Sequence, residues 1–444
     1  MSPSTITIIG LGYGDVSARS LGAQQALDDA SRIVLRTAIH LGIDDLTNDP
    51  RVVACDDLYE SADSFAGVYR GVIDRVLSFA ETGDVVFALP GSPSYGERTV
   101  RELLAAAAAC GHRVKMIASP SGLDAVAQVM GMDLLSDQVQ VIDAASIGEC
   151  VLAEPFSGSA IGLDPRRTVV VGQVYARPIA SDVKHWLTRI FPENHQVSIV
   201  SNARIPAQST IVHTPLSELD HHDFDHLTTV VVAPLDPLEA QRSAATLHHI
   251  IAHLRAEDGC PWDRQQTHLT LKDKVIEEAY EVAEAIDNGD PDELAGELGD
   301  LLLLVALHAQ IAEEAGTFTI EDIYGHVNSK LVRRHPHVFG DVVAETPEQV
   351  LTTWRGVKAQ EKHGSRHAGS EHRFNQLPRT MSVIQRIRRS EPQFEELPDS
   401  QFSEKLGQGL LELVNSSLRA GIDPEAALEK AYRRALDAAV TRQE

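Results

Sequence analysis

At 444 residues the chain is longer than one ordinary domain, and two or three are expected. A composition of 43% apolar and 23% charged residues is that of a soluble globular protein able to bury sizeable cores. A net charge of −25 argues against a protein built to coat nucleic acid or an anionic membrane, so an anionic substrate would need local cations, from a metal or a basic cluster.

The N-terminus, MSPSTITIIGLGYGD, has no basic region followed by an apolar one and does not read as a signal peptide. The first half then alternates strands with helices. TITIIG, RIVLR, DVVFALPG, RVKMIAS, QVQVIDA, RTVVVGQVY and QVSIVSNA are short β-branched runs, and amphipathic stretches such as FAGVYRGVIDRVLSFAETG lie between several of them. This is an α/β pattern, closed by LTTVVVAPL at 227–235. The proline-bearing APLDPLEAQRS that follows predicts a linker over 236–245. The four cysteines, Cys55, Cys110, Cys150 and Cys260, form no CxxC pair, which suits a reducing compartment and no structural zinc. No apolar run reaches the ~18–20 residues of a membrane span, so a cytoplasmic protein is expected.

From about residue 243 helical periodicity takes over. Breaks fall at GCPWD (259–263), NGDP (288–291), RRHPHVFGD (333–341) and GSRHAGSEHR (364–373), and AGELGDLLLLVALHAQIAEEAG (295–316) recurs weakly as FSEKLGQGLLELVNSSLRAG (402–421). Within VIEEAYEVAEAIDNGDPDELAGELGD (275–300), Thr270 with Asp273 predicts an N-cap for the first helix, and Asp290, Pro291 and Glu293 a capping box for the second. Capping and the helix dipole account for Asp290, Asp292 and Glu293, and Glu284 falls opposite an apolar stripe of Val275, Ala279, Val282 and Ile286.

Four acidic residues are left over. Glu278 and Glu281 share one edge of the first helix, and Glu297 and Asp300 one edge of the second. In an antiparallel hairpin centred on Gly289, Glu281 and Glu297 stand equally far from the turn, as do Glu278 and Asp300. The two pairs should therefore meet at the margin of a seam lined by Leu298, Leu301 and Leu302. Such carboxylates repel unless cations sit among them, and an all-oxygen set favours Mg²⁺ or Mn²⁺. Glu277 is either a further ligand or a base that orients water. A basic stretch follows. KLVRRHPHVFGD gathers Lys330, Arg333, Arg334, His335 and His337, and WRGVKAQEK adds Arg355, Lys358 and Lys362, a pattern that fits phosphate recognition. His335 and His337 are weak zinc candidates, because Pro336 separates them and a nearby cysteine is lacking. Trp262 and Trp354 either stack on a base or serve a core or interface.

CPWDRQQTHLTLKDKVIEEAYEVAEAI, GELGDLLLLVALHAQ, KLVRRHPHVFGD and the W-x-x-x-K-A-Q-E-K run resemble the MazG family of all-α nucleoside triphosphate pyrophosphohydrolases over about 245–363. The resemblance implies a dimeric helical bundle in which Mg²⁺-dependent attack of water converts an NTP to NMP and pyrophosphate. It implies metal ligands at Glu278, Glu281, Glu297 and Asp300, with Glu277, Glu278 and Glu281 catalytic. Phosphate and substrate contacts are implied at Trp262, Asp263, Lys274, Lys330, Arg333, Arg334, Trp354 and Lys358. Residues 372–444 resemble a shortened second copy. Aligning the echo puts Lys405 at the Glu297 position and Gln408 at the Asp300 position, so this copy is expected to supply packing mass and no second active site.

TIIGLGYGDVSARSL fails as a Rossmann fingerprint, because Asp15 stands where the last glycine is needed. Together with FALPGSPSYGERTV, ASPSGLDAV and ASDVKHWL it is similar to the tetrapyrrole methylase fold, two α/β subdomains that hold S-adenosylmethionine in the cleft between them. The likeness spans 1–235, and the fusion to a helical domain at 246–365 resembles YabN-type proteins. It implies cofactor contacts at Gly10, Gly12, Gly14, Pro90, Gly91, Ser92 and Ser121. Tyr13 replaces a common proline and GSP replaces the usual GDP at 91–93, departures that weaken methyl transfer more than ligand binding. Three readings follow: an NTP pyrophosphohydrolase with a methylase-like domain, a methyltransferase with a helical assembly module, and a non-catalytic nucleotide-sensing scaffold.

Overall fold

The computed structural model describes residues 3–62, 64–153, 162–203, 205, 208–364 and separate positions between 408 and 431. Side chains at 149–153 and 358–364 are outside that description, as are Lys405 and almost all of 372–444; Gln408 sits in a helical stretch and is exposed. Contacts divide the chain into two units, Met1–His249 and Ile250–Glu444.

The first unit holds two five-stranded sheets. In the first, β1 (Thr5–Gly10), β2 (Ile33–Leu35), β3 (Val52–Ala54), β4 (Val85–Leu89) and β5 (Arg113–Ile117) run parallel in the order β3-β2-β4-β1-β5. Parallel strands need crossovers, here α1 (Leu21–Asp29), α2 (Asp56–Ser61), α3 (Phe65–Ala80) and α4 (Arg98–Ala109). The side-chain period of two divides each central strand between two cores. Ile6, Ile8, Val85, Phe87 and Leu89 face α3 and α4, while Ile9, Val86 and Ala88 face the opposite layer with Leu27 of α1. On α3, capped by Ser64, Val68, Val72 and Val76 recur every four residues and are buried. Phe87→Ala should cost this domain about 3–5 kcal/mol, read as an earlier first transition in a urea melt of the full chain.

The second sheet, order β6-β7-β10-β8-β9, comprises β6 (Gln140–Asp143), β7 (Val169–Gly172), β8 (Gln196–Ser201), β9 (Thr210–Pro215) and β10 (Thr228–Val232). Only its β6–β7 pair is parallel. One face packs on α6 (Ala144–Ala153) and on Val183, Trp186 and Leu187 of α7 (Arg177–Leu187); the other packs on Ala125 and Val126 of α5 (Gly122–Met130). The runs VVA and TIVHTP, absent from the expected strands, form β3 and β9. Each is a sheet edge, where exposure leaves the apolar signal weak.

The second unit is helical. α8 (Ala244–Arg255) begins before its boundary, followed by α9 (Pro261–Arg264), α10 (Lys272–Asn288), α11 (Pro291–Glu314), α12 (Ile320–Arg334), α13 (Pro336–Phe339) and α14 (Pro347–Gly364). α10 and α11 form an antiparallel hairpin. Gly289 closes α10 at φ +70, where a side chain would be strained, and Asp290 accepts the Asp292 and Glu293 amides that open α11. Two local expectations are corrected. Thr270 does not cap α10, whose N-cap is Leu271; its hydroxyl donates to Gln266 within the preceding turn. Glu293 accepts from the Asn288 side chain instead of closing a box on Asp290.

The apolar stripe of α10 is also displaced. Ala285 is buried and Val275 and Val282 are half-buried, but Ala279 is exposed and Ile286 is 59% exposed. On α11 the buried residues, Leu304, Ala306, Leu307, Ala309 and Ala312, fall in the C-terminal half. Leu298 and Leu302, expected to line the seam, are 48% and 52% exposed. With 24 residues and a mean hydropathy of 1.5 over its most apolar window, α11 is long and apolar enough to cross a membrane by length and composition alone, although its uninterrupted apolar runs are short. Only 22% of that window is buried, and α11 also carries Glu297 and Asp300.

Candidate active site

The hairpin brings three carboxylates together. Glu278 and Glu281, one turn apart on α10, and Glu297 on α11 each present an oxygen within 4.8 Å of the other two, and all three are half-buried. Asp300, exposed, stands outside that close set yet acts electrostatically on Glu278. Burial, then the charge and hydrogen bond of Glu281, then the charge of Asp300 push the Glu278 carboxyl up to about 7, against a partial opposing pull from Lys274. Near neutrality the Glu278 carboxyl is therefore partly protonated, and a divalent cation would displace that proton. Oxygen donors of this charge suit Mg²⁺ or Mn²⁺, so the residues fit the expected ion. Lys274 Nζ lies 3.9 Å from a Glu277 oxygen, so a cation flanks the N-terminal side of the cluster.

The remaining expected contacts are distributed over α9, α12 and α14. Trp262 on α9 is 53% exposed, and the backbone carbonyl of its neighbour Asp263 accepts from Arg255, whose guanidinium also pairs with Glu314. Lys330 and Arg333 border a groove along α12. Arg334 instead lies over the Trp354 ring, 5.5 Å from its centroid, a cation–π contact that joins α12 to α14. Lys358 lies on α14, its side chain outside the described residues. His335 Nδ1 donates to the Leu331 carbonyl, which uses one nitrogen of the weak zinc pair.

Comparison with known proteins decides the family. The model of the MazG nucleotide pyrophosphohydrolase domain matches residues 266–339, and that of the tetrapyrrole (corrin/porphyrin) methylases matches 5–220. YabN of Bacillus subtilis (strain 168) is 36% identical over 382 residues, covering 85% of this chain and 75% of its own. The chain belongs to the MazG family, in the YabN-type arrangement. The nucleoside triphosphate pyrophosphohydrolase/pyrophosphatase MazG of Thermotoga maritima is 41% identical over 207 residues, covering 42% of this chain and 79% of its own. The nucleoside triphosphate pyrophosphohydrolase of Escherichia coli (strain K12) is 34% identical over 206 residues, covering 39% and 77%.

In this MazG-family chain the methylase domain ties its expected cofactor loops to one another. Gly12 and Gly91 exchange both backbone hydrogen bonds, and Ser119, not singled out from sequence, donates to the Gly10 carbonyl at 2.7 Å. A side chain at Gly10 would collide with Gly91, Ser119 and Pro93, so that glycine serves the packing of the loops. Gly91, at φ +73 after Pro90, is buried, yet no atom lies within 4 Å of where a side chain would stand, which leaves unfilled space beside its backbone. Gly14 and Ser92 are buried, Ser92 sharing a hydrogen bond with Ser94. Ser121 spends its hydroxyl on a capping box with Asp124 at the start of α5. After β7 of the second sheet, Gln173 holds a left-handed φ of +62 and donates to the Gly96 carbonyl at 3.3 Å. No motif marked Gln173; its φ emerges only from the fold.

Proposed function

We propose that the C-terminal unit is a Mg²⁺-dependent nucleoside triphosphate pyrophosphohydrolase, yielding NMP and pyrophosphate, with Mn²⁺ able to use the same donors. The convergence of Glu278, Glu281 and Glu297, with Asp300 beside them, carries this reading. When bound, the ion supplies charge that neutralises the triphosphate and acidifies water. Glu278, Glu281, Glu297 and Asp300 would hold it. Glu277 accepts or orients the proton of the attacking water, and Lys274 balances its charge. Lys330 and Arg333 steady the phosphates. Water adds to the α-phosphorus while that atom's bond to the bridging oxygen breaks, releasing pyrophosphate. Incubation of the full chain with NTP and Mg²⁺ should yield NMP and pyrophosphate in equal amounts, with none formed under a chelator. Orthophosphate as the first product would overturn the reading.

The N-terminal domain binds S-adenosylmethionine in this proposal, against the loops after β1 and β4 (Gly12–Gly14 and Pro90–Ser92); the cofactor would supply a methyl group. The unfilled space beside Gly91 supports binding. The helical unit acts as a homodimer. Ile286, Leu298 and Leu302 are about half exposed on the hairpin that carries the carboxylates, a face whose burial by a second copy is favourable. Light scattering should give about twice 48.3 kDa, and Leu302→Glu should return it to a monomer.

A further inference from the structure

An open groove of about 630 Å³ runs along α12, a size in the range of small-molecule sites. Positions 322–323, 326–327, 330 and 333 recur at helical spacing and so share one stripe of the helix. The two ends of that stripe differ in chemistry. Ile323 and Val327 form a half-buried apolar floor, and Phe318 walls it with a flat ring inclined 20° to His268, 6.4 Å between centroids. Lys330 and Arg333 supply two cations at the C-terminal end, where the helix dipole favours positive charge.

The polar rim of the apolar end has a fixed sense. His326 Nδ1 lies 2.7 Å from the Asp322 carbonyl oxygen, which can only accept, so the proton sits on Nδ1. In the neutral ring Nε2 is then an acceptor. The Asp322 carboxylate, which accepts the Thr319 amide at 2.9 Å, is an acceptor too. A rise of 1.5 Å per residue puts Arg333 about 10 Å along the axis from His326, enough to span a ribose and part of a phosphate chain.

We propose that this groove seats the nucleobase of the substrate and favours adenine and cytosine, whose 6- or 4-amino group donates, over uracil, whose 4-carbonyl only accepts, with His326 Nε2 accepting from that amino group. The proposal rests on the reading of Lys330 and Arg333 as phosphate contacts. One hydrogen bond is worth about 0.5–1.5 kcal/mol, so discrimination of about two- to tenfold is expected.

The test is calorimetry of the full chain with Mg²⁺ and the α,β-methylene analogues of ATP, CTP and UTP, which lack the cleavable bridge. Wild type should bind the ATP and CTP analogues about two- to tenfold tighter than the UTP analogue, and His326→Ala should bring all three to about the same affinity. An unchanged ratio in the variant, equal weakening of all three, or no binding by wild type would overturn the proposal. So would a change in the assembled mass of His326→Ala, which would make the groove a protein–protein contact. A wild-type protein that shows the binding ratio but hydrolyses no NTP would instead overturn the pyrophosphohydrolase reading and leave the groove assignment standing.

Discussion

Glu281→Ala is expected to lower kcat/KM for Mg²⁺-dependent NTP hydrolysis at least about a hundredfold, since removing even an outer partner of a metal ligand typically costs 10–100-fold. Glu281 is the member of the cluster that touches both neighbours in function. It shares the close set with Glu278 and Glu297, and its charge and hydrogen bond are the largest influences on Glu278 after burial. Without it the ion loses a donor, and Glu278 gives up its proton more readily. The loss should therefore show as a higher Mg²⁺ concentration at half-maximal rate as well as a lower kcat. Glu284→Ala is the matched control: this carboxylate is exposed on the same helix, outside the close set, and the variant should turn over normally. Undiminished activity in Glu281→Ala, with circular dichroism unchanged, would remove the hairpin from the chemistry.

The second large effect is on pH dependence. In the metal-free protein the Glu278 carboxyl is raised from 4.5 to about 7, so between those values the folded chain holds a proton that the unfolded chain has released. The stabilising contribution is thus complete below about 4.5 and is lost as pH rises through about 7. The metal-free protein should melt a few degrees lower at about pH 8 than Glu278→Gln, with the gap closing toward about pH 5.5. Mg²⁺ should reverse the order at the higher pH, because it binds the deprotonated set and only the folded state assembles that set. Thermal melts of both proteins with and without Mg²⁺ decide it; a wild-type curve parallel to Glu278→Gln across this range would show that the carboxylates do not share a partly desolvated site.

The hairpin was legible because its signals are local. Gly289 had to adopt a left-handed φ, Pro291 tolerates the first helical turn, and Asp290 is a strong cap, so the turn and hence the level of each carboxylate followed from spacing. Thr270 misled because its hydroxyl found a competing partner in Gln266, a choice that local pattern alone cannot rank. The edge strands β3 and β9 were missed because each pairs on one side only and neither is buried along its length, so burial imprints little pattern on its residues.

By itself, then, the sequence determined the two kinds of domain, the family and the residue types that meet at the hairpin, because caps, turns and apolar periods act over a few residues. Tertiary structure decided which apolar faces are covered. Ala285 is buried while Ile286 and Leu302 remain open to solvent, though all three are apolar and helical. It also decided that burial and Glu281 push the Glu278 carboxyl up, that Gln173 adopts a left-handed backbone after β7, and that Arg334 stacks on Trp354 while Lys330 and Arg333 border a groove. These depend on burial and on the direction of neighbouring charges, which are set by residues brought close by packing and are not encoded in any one stretch of chain.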